Sequence, residues 1–433
     1  MSLSFANALK ARRPVAWRLA SGALWSTIGE AGSRALAFGA ASVVARRLGV
    51  ADFGAFGLIQ STLAMLATVA AFGLGQTTIR YVSAWRDTDP QRAAAVASLS
   101  LAFCGLAGLM AAGALYLAAP AIADALLRTP ELASPLRLVA PIVLLTAVSG
   151  AMHGAIVGFE AFARLAKTVW AAGVASAVTM VAGVAYAGLE GALVGMAIGE
   201  LVRAALMVGL ARRIMGERGL AFPVGVGLGE ARVLWRFSAP TVLAGLLTVT
   251  SAWTCQTIIA RGGDGLAELG VYSAAQKWMT VVMLVPVAAA AAFGPVLGSL
   301  SGAGDLAGHR RTTTRQALVQ LGLTGAPAAI IATAAPAAMG LFGPDFSGGA
   351  AVVVVMMVLG PVTVVQNLYW QALLSMERAW TWLALAGVSA GVAVGLTWAW
   401  RDGGALAMGQ AMTIAAILTL AGSIASVRRA WRR

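Results

Sequence analysis

The residues of this chain able to do chemistry are few, and most lie inside apolar runs. Ser26, Glu30, Ser33 and Arg34 recur at three- and four-residue spacing, which sets them on one helix face with Glu30 and Arg34 one turn apart. Ser273, Gln276, Lys277 and Thr280 form a second stripe; Gln60, Gln76 and Arg80 a third; Gln366, Asn367, Trp370 and Gln371 a fourth. Thr248, Ser251 and Cys255, with Gln256 beside them, mark another run, and Glu200 and Arg203 stand three apart in yet another. A charge at the centre of a bilayer costs about 2.5–3.5 kcal/mol, so these groups must face protein or water. Arg34 and Lys277 suit an anion, above all a phosphate or pyrophosphate, held by charge-assisted hydrogen bonds. The alternative for both is a structural ion pair. Glu200 and Arg203 can satisfy each other, and His153, set among glycines, reads as a packed histidine. Arg80, near the end of its run, can snorkel to lipid headgroups or guard a cavity entrance.

Catalytic and metal-binding motifs are missing from the sequence. It has no GK[ST] phosphate loop, no HExxH and no CxxC, and its two histidines are His153 and His309. Asp87-Thr88-Asp89 resembles the paired aspartates that hold a metal in many glycosyltransferases, but a solvated loop is the simpler reading. No connection between apolar runs is long enough to hold a soluble catalytic domain. No cofactor, metal or enzymatic activity is expected.

These residues require a scaffold of membrane helices. Of 433 residues, 59% are hydrophobic and 11% charged, and the mean hydropathy is +0.82, a balance that water-soluble domains do not sustain. A helix needs about 20 apolar residues to cross the hydrocarbon, and twelve such runs are present. The first six are Leu19–Ala45, Phe53–Val82, Ala93–Leu127, Leu138–Phe159, Leu165–Ala187 and Gly191–Ala211. The second six are Phe237–Ala260, Gly270–Leu300, Ala317–Phe342, Gly348–Met376, Trp380–Trp400 and Gly404–Val427. The net charge of +14 is spread over loops rather than gathered into a nucleic-acid patch. Of 31 lysines and arginines, 22 fall on one set of alternate connections and the termini, and 6 on the other. That asymmetry predicts both termini in the cytoplasm. Cys104 and Cys255 fall within helices, and nothing suggests a disulfide framework. The first run carries Glu30 and Arg34 and is expected to be a retained helix rather than a cleaved signal peptide.

The chain also repeats itself. Ala45 to Ser61, ARRLGVADFGAFGLIQS, returns in degraded form as Ala260 to Lys277, ARGGDGLAELGVYSAAQK. Gly54, Phe56 and Gln60 meet Gly270, Tyr272 and Gln276 at an offset of 216, and Arg46 meets Arg261 at 215. Ala118-Ala119-Pro120 returns at 334–336, and Glu160 at Glu377. Because each copy has an even number of spans, the halves share one orientation and an axis along the membrane normal. The expectation is an all-α polytopic membrane protein: twelve transmembrane helices in two six-helix lobes related by a parallel internal repeat. A basic N-terminal segment (1–18) precedes the N-lobe (19–211), and a cytoplasmic linker (212–236) leads to the C-lobe (237–427) and a basic tail (428–433). Glycine ladders in spans 4, 6 and 11 (Gly150, Gly154, Gly158; Gly191, Gly195, Gly199; Gly387, Gly391, Gly395) predict close packing within a lobe. The polar stripes of spans 1, 2, 7 and 8 predict a shared wet cavity between the lobes.

ARRLGVADFGAFGLIQS, with Phe72-Gly73-Leu74 and Ile79-Arg80-Tyr81-Val82 after it, resembles the amino-terminal signature of the Wzx-type oligosaccharide flippases. These share a superfamily with multidrug and toxin extruders and with the lipid II flippase. The resemblance implies a transporter that moves a polyprenyl-pyrophosphate-linked oligosaccharide between leaflets of the bacterial cytoplasmic membrane. Two lobes would rock around a cationic cavity, drawing on an ion gradient. It implies cavity cations at Arg34 and Lys277, with Arg80, Gln60, Gln276, Gln256 and Asn367 as further substrate contacts. Glu30 and Glu200 are then the ion-coupling carboxylates. Implied partners are the lipid-linked substrate, membrane lipids, and a glycan polymerase and chain-length regulator of the same pathway.

Overall fold

A computed structural model describes residues 15–71, 73–220, 231–284, 286 and 293–432, with the backbone alone for 15–28, 30, 231–241, 294 and 295. Every regular element among them is helical. The first helical stretch, Val15–Ala71, is interrupted at Gly49 (φ 78°), and its arms are α1 (15–48) and α2 (50–71). Then come α3 (Leu74–Trp85), α4 (Pro90–Ala121) and α5 (Ala133–Gly158). The stretch Phe162–Gly216 is interrupted at Ala187 and Gly188, giving α6 (162–186) and α7 (189–216). The second half holds α8 (Ala231–Ala260), α9 (Gly265–Val282), α10 (Phe293–Gly302), α11 (Leu306–Thr333), the short α12 (Ala335–Gly340), α13 (Ala350–Ser375), α14 (Ala379–Ala399) and α15 (Gly404–Trp431).

Nine helical stretches among the described residues are long and apolar enough to cross a membrane. Two of them hold the α1–α2 and α6–α7 hairpins and count twice, and α9, made more polar by Glu268, Gln276 and Lys277, completes the twelve spans. The α6–α7 reversal shows why glycine is needed. A Cβ on Gly183 would strike the Gly191 carbonyl, one on Gly195 would lie 2.5 Å from the Thr179 carbonyl carbon, and one on Gly199 2.6 Å from Ser176 Cα. These pairs run in opposite directions along the chain, so the arms are antiparallel and almost touch through their backbones. The ladder of α5 behaves likewise: Gly154 meets Gly75 and Thr78, and Gly158 meets Val82 of α3.

Two expectations change. Span 2 is not one helix, because Gly73 takes a left-handed conformation (φ 66°) and starts α3 afresh. Among the described residues the ladder of span 11 packs against nothing: Gly387, Gly391 and Gly395 have no atom within 4 Å of a built Cβ. Spacing alone marks a smooth face, and only the neighbours decide whether a helix lies on it. Around the expected linker α7 runs to Gly216 and α8 begins at Ala231; 221–230 lie outside the described residues.

The repeat is visible in the backbone. Glu160 and Glu377, 217 apart, both adopt left-handed φ (57° and 59°) at the turns after α5 and α13, and Gly188 and Gly404, 216 apart, both have positive φ (53° and 59°). Glu160 there accepts from Arg86 (2.6 Å), which also reaches Asp87 (3.1 Å). Burial works against the Arg86 charge, but these two carboxylates outweigh it and hold the guanidinium pKa above its ordinary value. Asp89 accepts from the Arg92 amide (3.1 Å) as the N-cap of α4, so the DTD triplet serves as a turn and helix cap. The outer surface is apolar: Leu106, Leu109, Met110 and Leu117 of α4 are 58–79% exposed, as a lipid-facing helix requires.

Candidate functional site

The lobes meet along α2 and α9, which run side by side in the same direction. A Cβ on Gly54 would lie 2.7 Å from the Gly270 nitrogen and closer still to the Leu266 carbonyl, and one on Gly270 would strike the Val50 carbonyl. Leu266 is Val50 displaced by 216, so equivalent residues touch across a pseudo-twofold axis. The duplicated glycines seen in the sequence are thus the contact between the repeats. Deeper along the same seam a Cβ on Gly57 would strike Ser273 Oγ, Lys277 Nζ donates to Gln60 Oε1 (3.2 Å), and Trp253 Nε1 donates to Thr62 Oγ1 (2.9 Å).

At this depth lies a cavity of about 290 Å³. Its walls come from α1, α2, α5, α6 and α7 of the N-lobe, and one side chain, Lys277, enters from the C-lobe. The space exists because the facing positions are small: Ala37, Ala40, Ala41, Ala172, Gly173 and Ala177 leave a void that Ser33, Ser176, Gln60, His153, Glu200 and Arg203 make polar. Glu200 Oε2 sits 3.5 Å from Arg203 Nη1, one helical turn on. Its Oε1 is buried without a hydrogen-bond partner among the described residues. Arg203 is 44% exposed and Glu200 14%, so the guanidinium has room to turn while the carboxylate does not. Among the described residues, Arg203 and a protonated Lys277 against the one carboxylate of Glu200 leave the wall with an excess of one positive charge when histidine is neutral. A site of this kind holds an anionic oxygen group by charge-assisted hydrogen bonds. Among the described residues no group of three or more metal-ligating side chains occurs.

Of the residues expected to bind substrate or couple an ion, Gln60, Lys277 and Glu200 line this cavity, as do Ser33 and Arg203 of the polar stripes. Arg34, beside Ser33 on α1, is half-buried and off its wall. Gln256 is buried in α8, Gln276 and Asn367 are half-buried in α9 and α13, and Arg80 is exposed with its guanidinium 5.9 Å from the Tyr81 ring centroid. The side chain of Glu30 lies outside the described residues. The polar stripe of span 7 does not reach the cavity: Trp253 closes α8 onto α2, and Cys255 is fully buried. His153, read from the sequence as a packed histidine, and Ser176, which the sequence did not single out, are wall residues. The signal for Ser176 was the α7 ladder, since Gly199 packs against it.

A family model described as polysaccharide biosynthesis protein matches residues 19–301. The chain belongs to that family. Among curated relatives it is 26% identical over 255 residues to the EPS I polysaccharide export inner membrane protein EpsE of Ralstonia nicotianae, covering 59% of this chain and 57% of that protein. The EpsE of Ralstonia solanacearum is 25% identical over 295 residues, 66% of this chain and 63% of that one. The chain therefore spans about three fifths of the length of the relatives it matches. Solved structures with the same fold include an inward-facing multidrug resistance MATE family transporter of the MOP superfamily (TM-score 0.73, 15% identity, 92% of this chain and 94% of the other). The inward closed lipid II flippase MurJ also matches (TM-score 0.70, 13% identity, 94% and 87%), as does a MOP superfamily transporter from Pyrococcus furiosus whose binding pocket is described as of reverse polarity (0.72, 14%, 95% and 95%). This member of the polysaccharide biosynthesis family has helices long and apolar enough to cross a membrane and shares the fold of these solved transporters.

Proposed function

We propose that the protein is a flippase that moves a polyprenyl-pyrophosphate-linked oligosaccharide across the bacterial cytoplasmic membrane by alternating access. Both termini lie in the cytoplasm on this reading, as the loop charges require. The observation that carries it is Lys277: a cation from the C-lobe that is bound to Gln60 of the N-lobe in the middle of the interlobe seam and itself gives the cavity wall its surplus positive charge. A charge placed there is costly and serves function by default. It supplies an anion contact that forms or breaks as the lobes rock, which is what carriage of a pyrophosphate demands. The glycan and pyrophosphate would pass through the polar interior while the prenyl chain stays in lipid. Glu200, with one buried oxygen unpartnered, is the carboxylate best placed to exchange an ion from a gradient; Glu30 is the second candidate.

The same fold serves drug and cation extruders, but a cationic cargo needs uncompensated carboxylate. Among the described residues the one acid in the cavity wall, Glu200, already faces Arg203. We read the protein as a transporter rather than an enzyme, with a glycan polymerase and chain-length regulator acting on its product. The test replaces Lys277 and Arg34 singly with Ala in a strain that depends on this protein and follows surface polysaccharide at matched protein level. Export is expected to fall at least tenfold for Lys277→Ala. Undiminished export in both variants overturns the cationic-cavity mechanism.

A further inference from the structure

The repeated arginines of the opening motif take no part in the cavity, and their geometry is specific. Arg46 of the N-lobe donates from Nε to the Leu341 carbonyl of the C-lobe (2.8 Å). Arg261 of the C-lobe donates from Nε to the Leu126 carbonyl of the N-lobe (2.8 Å) and from Nη2 to Ala125 (3.1 Å). Arg46 and Arg261 are 215 apart in sequence, and so are Leu126 and Leu341. Both bonds therefore cross between lobes and are images of each other about the pseudo-twofold axis. The acceptors close helical turns: Leu126 is the last residue of the π-turn Ile122–Leu126 that follows α4, and Leu341 directly follows α12. Carbonyls at a helix C-terminus lack an intrahelical donor and favour a cation. Next to the Leu341 acceptor lies an apolar contact between lobes, where Phe53 of the N-lobe packs on Phe342 and Phe346 of the C-lobe at centroid distances of 6.1 and 5.8 Å. Both arginines lie on the face poor in basic loops.

We infer that Arg46 and Arg261 are a duplicated pair of latches that hold the lobes shut on the extracytoplasmic face, and that both must release for the cavity to open outward. Each guanidinium is solvent-exposed, so water can replace the carbonyl when the lobes part. This makes the latch reversible, and one latch released leaves the other to keep the faces in register. The repeat thereby explains its own best-preserved cation: one arginine per lobe is needed because each lobe ends a helix at the other's loop. The inference rests on the alternating-access reading but not on the identity of the cargo.

The test places a cysteine at Ala177, a cavity-wall position, in a chain whose buried Cys104 and Cys255 are replaced by Ala. A membrane-impermeant maleimide is applied to right-side-out and to inside-out vesicles, without substrate. Arg46→Ala and Arg261→Ala are each expected to speed labelling from the extracytoplasmic face about three- to tenfold, and the double variant about ten- to hundredfold, the range for losing one or two such hydrogen bonds. Labelling from the cytoplasmic face should slow in the same variants, while Arg47→Ala changes neither. Unchanged rates in both arginine variants overturn the latch, and so does a rise from both faces, which reports loss of fold rather than outward opening. If export proves indifferent to Lys277 while these rates still move reciprocally, the latch stands and the cargo assignment falls.

Discussion

Replacing Gly54 with Ala adds one methyl where the two repeats touch. The new Cβ would lie 2.7 Å from the Gly270 nitrogen, with the Leu266 carbonyl nearer still. Ordinary contact begins at 3.4 Å, so clearing the Gly270 nitrogen alone takes about 0.7 Å and clearing the nearer Leu266 carbonyl more, which α2 and α9 can supply only by moving apart. Neither obstacle is a flexible side-chain tip; both are helix backbone, which moves only as a body. Overpacking of this kind costs about 1–3 kcal/mol, a shift of about 5- to 150-fold in an equilibrium between closed and parted lobes. The strain bears on the closed arrangement alone, so it favours the state in which the helices have parted. Nitroxide labels on Glu131→Cys and Asp402→Cys, exposed sites in opposite lobes on the arginine-poor face, measure this by pulsed dipolar spectroscopy. The short-distance population should shrink in Gly54→Ala and, by the repeat, in Gly270→Ala. Gly39→Ala, whose Cβ meets nothing within 4 Å, serves as the control. A distance distribution in Gly54→Ala matching that of Gly39→Ala refutes the claim that these glycines set the lobe contact.

Three further outcomes follow from the geometry. Lys277→Met and Gln60→Leu should each reduce export, and the double variant should be less impaired than the two losses multiplied, because the residues share one hydrogen bond; strict multiplicativity removes that pairing from the mechanism. Gly183→Leu should abolish the folded protein, since its side chain runs into the Gly191 backbone, whereas Gly387→Leu, facing open space, should leave the yield of monodisperse protein unchanged on size-exclusion chromatography. Glu377→Gly should raise thermal stability by about 1 kcal/mol by relieving a left-handed backbone, while Glu160→Gly should gain less or lose, because it forfeits the Arg86 bridge; equal shifts in melting temperature would deny the bridge its role.

Much of the architecture was legible because a bilayer imposes length and composition on whatever crosses it. Twelve apolar runs, a parallel repeat and a one-sided charge distribution followed from residue types alone, and the repeat offset of 216 recurs in the contacts of Gly54 and Gly270. The candidate site was less legible. Spacing sets Ser33 and Arg34 on one stripe, yet Ser33 lines the cavity and Arg34 does not. Lys277 and Gln276 are neighbours in one stripe too, yet only Lys277 reaches the wall. Periodicity fixes the face of a helix to within a wide arc, and the difference between adjacent residues of that arc is decided by which neighbour occupies the space. The same limit explains the glycine ladders: that of α7 is packed along its length, that of α5 at Gly154 and Gly158 but not at Gly150, and that of α14 is bare.

What the chain determined by itself is what depends on the solvent and on neighbours in sequence: which segments cross lipid, which loops carry charge, and which turns need glycine. Only the tertiary structure decided that Trp253 of α8 would bond to Thr62 of α2 while polar residues of α5, α6 and α7 surround a void, and that Arg46 would find its acceptor 295 residues away. Such pairings depend on the three-dimensional approach of surfaces distant in sequence, which no local pattern encodes.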